Sequence, residues 1–449
     1  MFKTVIENKM INKKSVLYRS PNSHYPKAIK SNGMYIQDTS GKSYLDMSGG
    51  AAVSVIGHSN THVIERMKEQ LSQLSFAHTS FFTNEPQEEL AKRLAERFTE
   101  LGARAYFTSG GSEANETAIK LAWQYWQIKA KSTKKIIISR QHSYHGNTFG
   151  TLSISGNDGR RLKSAAPLID WPRISACYAY RYQKNAQTSE EYGLQAANEL
   201  EIAILTQGEE NVAAFICEPV VGSSLGVVPA LPGYLKRIRQ ICDQYNVLFI
   251  SDEIMCGSGR TGTYFAHEQD GVIPDITTLA KGIAGGYQPL AATLIRAHMV
   301  EAFDTSGFAH GHTYVGHPIA CVAGCAVQDV LDHDNLLNAC KTKGLEFSQL
   351  LLDRFKEHPQ VGNIRGRGLF QGIELVSNKD TKAGFLLDCN LANKLTNASM
   401  KHGLICYPGN SLINGEYLPH ILLAPPLILN HAHMEECVDK IDKILDSVF

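Results

Sequence analysis

Lysine rarely sits in an interior unless it is paired, yet Lys281 stands in the apolar, glycine-rich stretch TLAKGIAGGYQPL, just after PDIT. An ammonium taken out of water loses its proton more readily, and the free amine is a nucleophile that can form an imine with a carbonyl carbon. A loop lysine pointing to solvent is the ordinary alternative. About thirty residues earlier, Asp252 and Glu253 end the apolar run NVLFISDEI. A carboxylate there is either solvated or paired with a buried cation. One such cation is a protonated ring nitrogen, which an adjacent aspartate keeps protonated so that the ring accepts electron density. Strand alternation puts Asp252 and Ile254 on one face, so Ile254 could pack beneath that ring.

Other strand ends carry similar residue types. YFTSGGSEAN reads as strand, glycine turn and helix start. Gly110 and Gly111 let backbone N–H groups approach a ligand, Ser112 is a candidate N-cap, and a helix N-terminus with free N–H groups suits phosphate. A plain cap after a tight turn is the alternative. QHSYHGNT places Tyr144, His145 and Gly146 in a loop, where a flat aromatic can cover a cofactor face. The histidines here and in HGHTYVGH are metal-ligand types, but no helical HExxH or Cys/His quartet is present, and no metal is expected. Glu218 in CEPV is a second candidate for the same site or a simple turn residue. GSGRTG matches GxGxxG, but no convincing helix follows it, which argues against a dinucleotide site.

These residues need a scaffold. From about Ala103, short apolar runs (ARAYFT, KKIIISR, NVAAFICEPV, NVLFISDEI, DITTLAKG) alternate with helical patterns such as SEANETAIKLAWQYWQIK. That alternation predicts an α/β fold with a mainly parallel sheet covered on both faces, and ligands gather at the carboxyl ends of such strands. Before it, GMYIQD-TSGK-SYLDM reads as a hairpin, and HVIERMKEQLSQL and EPQEELAKRLAERFTEL read as helices. A continuous helix near 318–332 leads to a smaller α+β unit with strands GLFQGIELV and HILLAPPLIL and a terminal helix. The 449 residues balance 44 Lys+Arg against 44 Asp+Glu, which gives no support to nucleic-acid or acidic-membrane binding. No run is long enough to span a membrane and the N-terminus lacks a signal-peptide core. Ten scattered cysteines without CxxC read as reduced thiols in a cytoplasmic protein. NET at Asn115 and NAS at Asn397 read as chance sequons.

The order of these motifs resembles the class III aminotransferase family of pyridoxal-phosphate enzymes over nearly the whole chain, from YIQDTSGKSYLDMSGG through FTSGGSEAN, YHGNT, EPV, DEI, TLAKG and HTYVGHP to RGRGLF and APPL. The resemblance implies fold type I, with an N-terminal segment (1–60) joining the small domain, a large pyridoxal 5'-phosphate domain (61–320) and a C-terminal small domain (321–449). It implies Lys281 as the Schiff-base lysine and Asp252 as partner of the pyridine nitrogen. Ile254 and Tyr144 would cover the two ring faces, with His145 beside Tyr144 and Glu218 nearby. Gly110, Gly111 and Ser112 would hold the phosphate, joined by Thr313 from the neighbouring subunit of a homodimer.

Family members that handle glutamate usually carry an arginine shortly before APP and a gating glutamate five residues after the Glu-Pro glutamate. Here NGEYLPHILLAPP has no arginine, and Ser223 holds the second position. The expectation is therefore an omega-transaminase moving an amino group from an amine or omega-amino acid to a small keto acid such as pyruvate, by a ping-pong mechanism. Phe81 and Phe82 are candidates for the substrate pocket, and Arg365 or Arg367 for the acceptor carboxylate. Alternatives are a decarboxylating transaminase or aminomutase of the same fold, and a non-catalytic cofactor-binding or scaffold protein.

Overall fold

The computed structural model describes residues 15–20, 25–98, 101–164, 166–386, 389–413 and 415–449. The stretch 1–14, most of the segment read for a leader, lies outside them. β1 (Ala28–Asn32), β2 (Tyr35–Asp38) and β3 (Ser43–Asp46) form an antiparallel meander that includes the expected hairpin. Helices Thr61–Gln73 and Glu85–Arg97 follow, capped by Asn60 and Asn84, whose side chains accept the backbone N–H groups of Val63 and Gln87.

The central sheet comprises β4 (Arg104–Thr108), β5 (Ile136–Arg140), β6 (Arg173–Ile174), β7 (Val212–Cys217), then, after the short ribbon of β8 (Val220–Val221) and β9 (Val228–Pro229), β10 (Leu248–Asp252), β11 (Ile276–Leu279) and β12 (Ala291–Ile295). Its spatial order is β4-β12-β11-β10-β7-β5-β6. The neighbours from β11 to β6 are parallel, while β12 runs antiparallel to both β11 and β4. β4 therefore runs in the same direction as β11. The sequence AATLI of β12 was not anticipated, because its five residues are all buried and a strand covered on both faces shows no apolar–polar alternation.

The pleat explains why both faces are covered. Ile137, Ala214, Ile216, Leu248 and Ile250 pack with Ala118, Leu121 and Ala122 of helix Gly111–Ile128. Their strand neighbours Ile138, Phe215 and Phe249 turn to the other face, against helices Ser189–Gln207 and Tyr234–Gln244. This sheet and its helices position the carboxyl ends of β4, β5, β7, β10 and β11 along one edge.

Helix Pro318–His333 matches the expected continuous helix and has proline in its first turn. Helix Leu336–Phe355 leads into a second antiparallel sheet made by β13 (Val361–Arg367) and β14 (Phe370–Leu375), completed by β16 (Tyr407–Ile413) and β17 (Glu416–Leu423) in the order β13-β14-β17-β16. β15 (Leu404–Ile405) instead pairs in parallel with β3, joining distant parts of the chain. The terminal helix His431–Val448 closes this side. Among the described residues, no helix is long and apolar enough to cross a membrane.

One close approach fixes helix Leu336–Phe355 to the turn before β14. A Cβ on Gly344 would lie 2.5–2.6 Å from the Gly368 backbone. Gly368 has φ +59° and is itself pressed against the Thr261 backbone, so it cannot move away. Alanine at 344 would gain about 1 kcal/mol in helix propensity, but forcing the backbone apart costs about 1–3 kcal/mol. Gly344→Ala is expected to lower the midpoint of thermal or urea unfolding; an unchanged or raised midpoint would show that the packing relaxes freely.

Candidate functional site

β10 delivers Asp252 as its last residue, and the side chain is only 2% exposed. A carboxylate so buried needs donors. Three surround it. Asn115 Nδ2 donates to Oδ2 at 2.7 Å, His145 Nδ1 lies 2.8 Å from the same oxygen, and the Ile254 N–H donates to Oδ1 at 3.1 Å. Because an ionised carboxylate only accepts, this contact places the proton on Nδ1 of His145. Asn115 is held in turn: its Nδ2 also donates to the His145 carbonyl at 2.7 Å, and its Oδ1 accepts from Thr278 Oγ1 at 2.8 Å. Asp252 and Thr278 are register partners across β10 and β11. Thus the sheet register sets the whole cluster.

Asp252 and Ile254 do line one cavity, although not by strand alternation. The strand ends at Asp252 and the chain turns, with the Ile254 N–H folding back onto the carboxylate. Glu253 is directed elsewhere: its carboxylate accepts from the Ala266 and His267 N–H groups at 2.6 and 2.9 Å and contacts His267 Nδ1 at 2.8 Å.

The cavity has a volume of about 190 Å³. Gly111, Ser112, Tyr144, His145, Glu218, Asp252, Ile254 and Lys281 all line it, so the structure brings these expected residues together from five strand ends. Gly110 is the residue just before helix Gly111–Ile128 and serves as its N-cap, without a side-chain hydrogen bond. Ser112 is therefore not the cap. It lies inside the first turn, where its Oγ donates to Asn147 Oδ1 at 2.9 Å and accepts from the Asn147 N–H at 3.1 Å. Gly111 is needed for packing, since a Cβ there would stand 2.8 Å from Ile254 Cδ1. At Gly146 (φ +145°) a Cβ would meet the hydroxyls of Thr151 and Ser112.

Lys281 follows β11 at the start of a short 3-10 turn and is partly buried. Its φ of +51° lies in the left-handed region, which costs a non-glycine residue on the order of 1 kcal/mol. Gly282 follows because a Cβ there would lie 2.8 Å from Val55 Cγ1. Burial pushes the Lys281 ammonium down to about 8, against the opposing pull of the Asp252 and Glu218 carboxylates. The same burial pushes Glu218 up to about 7; the Asp252 charge adds to this and His145 and Arg140 oppose it. A poised amine beside a fixed carboxylate can attack a carbonyl and relay a proton at neutral pH.

The donor set also fits a flat, phosphorylated pyridine. His145 Nε2 and Glu218 Oε2 are buried without hydrogen-bond partners among the described residues, so polar groups of a ligand would satisfy them. The helix start at Gly111 supplies N–H groups for an anion, and Asp252 supplies the counter-charge for a ring cation.

Other expected residues lie apart. Phe81 and Phe82 are 80% and 66% exposed, and Thr313 is exposed outside this cavity. Arg365 and Arg367 are not brought to it. Arg365 donates to the Leu225 and Val227 carbonyls, to Asn363 and to Glu374, while Arg367 donates to Asp270 and the Ala230 carbonyl. Their donors are committed to holding β13 against neighbouring loops, which corrects their expected place in a substrate pocket. Asn115 and Thr278 had not been singled out from sequence. Asn115 is fully buried, which removes it as a glycosylation acceptor, and its i+4 spacing from Gly111 would have placed it on the face of the helix that meets the site.

The profile of the family described as Aminotransferase class-III matches residues 18–445. An uncharacterized aminotransferase of Schizosaccharomyces pombe is 40% identical over 99% of this chain and 97% of its own length. The putrescine–pyruvate aminotransferase of Pseudomonas aeruginosa is 33% identical, covering 93% of this chain and 90% of its own. The omega transaminase from Pseudomonas jessenii in complex with PMP superposes with a TM-score of 0.88 at 30% identity, covering 96% of both chains.

The depressed Lys281 value has a signed consequence for stability. Below pH 8 the ammonium is present in both folded and unfolded chains, and the folded chain bears the full desolvation cost. Between pH 8 and the ordinary value of 10.5 the folded chain loses its proton first, and that cost disappears. In cofactor-free protein, Lys281→Met is expected to be the more stable below pH 8, with its advantage shrinking as pH rises to 10.5. Thermal unfolding across that range tests this; a difference independent of pH would contradict it.

Proposed function

The chain belongs to the class III aminotransferase family, whose members depend on pyridoxal phosphate, and from that premise we propose that it moves an amino group from an amine or omega-amino acid to a small keto acid, with pyruvate foremost, by a ping-pong mechanism. The observation that carries the reading is the partly buried Lys281 at a cavity whose far wall is the Asn115- and His145-bound Asp252.

Bound pyridoxal phosphate supplies an aldehyde that condenses with amino groups and a ring that takes up the electron pair of a broken C–H bond. The chain supplies the rest. With the cofactor bound, Lys281 Nζ would hold it, would give way to the incoming amine and would then carry a proton between substrate carbon and cofactor carbon. Its lowered proton affinity leaves a useful fraction of free amine near neutral pH. Asp252, whose buried, triply donated carboxylate cannot turn away, would hold a proton on the ring nitrogen. Tyr144 and Ile254 would confine the ring from its two faces. The N–H groups that open helix Gly111–Ile128, together with Gly110 and Ser112, orient the phosphate and do no bond-making. Glu218, whose carboxyl burial pushes up to about 7, can share a proton with a polar ring substituent.

A homodimer follows from the same reading, with Thr313 reaching the phosphate of the neighbouring subunit and Phe81 and Phe82 lining the substrate entrance. The high exposure of these three residues in the single chain supports that assignment. The division into 1–60, 61–320 and 321–449 is supported by the pairing of β3 with β15, and a cytoplasmic location by ten cysteines scattered without a CxxC pair. Ser223 at the cavity, and the absence of an arginine before Ala424, support an acceptor other than 2-oxoglutarate.

Lys281→Ala is expected to abolish turnover, by at least ~10³-fold, while phosphate-anchored cofactor still binds. In the wild type, amine donors should bleach the visible band of the holoenzyme and pyruvate should restore it. Turnover by Lys281→Ala at the wild-type rate would end the assignment of that lysine, and selective recovery by 2-oxoglutarate would end the acceptor assignment.

A further inference from the structure

A small keto acid brings a carboxylate into a cavity already flanked by Asp252 and Glu218, so the chain must provide a cation near its mouth. This requirement rests on the aminotransferase reading above. Lys281 is engaged in the chemistry. Arg365 and Arg367 are spent on carbonyls and carboxylates elsewhere. Arg140 is buried beneath the site, donating to the Glu218 main-chain carbonyl at 2.5 Å.

Two further arginines follow the Tyr144 loop, the adjacent pair in GNDGRRLKS. They sit on the short helix Asp158–Ser164, and the fold gives them opposite fates. Arg161 turns inward: its Nη1 donates to the carbonyls of Leu152, Ser153 and Ser155 at 3.0, 2.6 and 3.3 Å, and Nη2 lies 3.5 Å from Asp170. Arg160 lays its guanidinium over the ring of Tyr144, with Cζ 4.2 Å from the centroid. Tyr144 lines the Lys281 cavity. No acceptor or carboxylate is recorded for the Arg160 guanidinium among the described residues. The turn beneath it is pinned, since the Arg160 main-chain N–H donates to the side chain and carbonyl of Asn157, both at 3.1 Å.

A guanidinium set over an aromatic ring spends no N–H donor on that contact. Its five N–H donors stay available for a bidentate carboxylate. Arg160 is also close enough that its charge helps to lower Lys281. From this geometry we infer that Arg160 is the cation that receives the carboxylate of the keto acid acceptor, and so a specificity-determining residue for the second half of the reaction. An amine donor without a carboxylate does not call on it, whereas a keto acid does.

The test uses holoenzyme converted by an amine donor and then returned by either pyruvate or propanal, a neutral acceptor of equal length, in wild type, Arg160→Ala, Arg160→Gln and Arg160→Lys. In the Ala and Gln variants the ratio of kcat/KM for pyruvate to that for propanal is expected to fall at least about tenfold, mainly through KM for pyruvate, with Lys recovering part of the loss. The Gln variant retains a long polar stem should alanine unsettle the loop. A ratio within about twofold of wild type, or parallel loss of both acceptors, would overturn the inference. A wild-type enzyme that transfers to no keto acid would instead overturn the parent reading and this one with it.

Discussion

A single carboxylate, Asp252, is buried with three donors on it, and most of the surrounding order follows from that arrangement. Each donor comes from a different piece of chain: Asn115 from the helix after β4, His145 from the loop after β5, and Ile254 from the turn after β10. Thr278 on β11 fixes Asn115 in turn. The charge is tolerable in the interior because these groups are already in place, and removing any of them would leave a buried ion or dipole short of a partner. The site is therefore coupled to sheet register, and a one-residue slip of β10 against β11 would dismantle it.

The same low-polarity surroundings act in opposite directions on the other ionisable groups. Lys281 is made easier to deprotonate and Glu218 harder, so both approach neutral pH from opposite sides. Backbone strain accompanies this. Lys281 occupies the left-handed region, and the chain turns sharply through Gly282 and Gly285 to set β12 antiparallel in the sheet. Strain of that kind persists where neighbouring packing over-determines the turn, and here Val55 and Ser258 close on Gly282.

Arginine use divides the molecule into frame and opening. Arg365 and Arg181 converge on Glu374, Arg367 on Asp270 and Arg239 on Asp275, all partly or fully shielded pairs that tie loops to strands. A guanidinium so committed has no capacity for a substrate. One set over an aromatic ring spends no N–H donor on that contact, and Arg160 at the Tyr144 loop is placed in that way. In this chain the residues that fit the cofactor lie at the strand ends, while the acceptor contact inferred above lies on a short helix beside them.

Much was legible in the residues alone. Lys281, Asp252, the glycine turn at 110–111 and the Tyr144–His145 loop stand out because each breaks the pattern of an apolar strand ending in a turn, and their order along the chain carries the family resemblance. The alternating units predicted the parallel core because buried strands and amphipathic helices have distinct lengths and periods. Three-dimensional contact decided the remainder. The fully buried β12 has no alternation to announce it. Asn115 reads as a sequon until the helix turns it onto Asp252. Arg160 and Arg161 are identical neighbours in the sequence, and Arg365 and Arg367 look like free cations. Sequence specifies a side chain's chemistry and the local pattern it interrupts, but a partner contributed from a hundred residues away exists only once the sheet has aligned, and that partner determines whether a charge is structural or available.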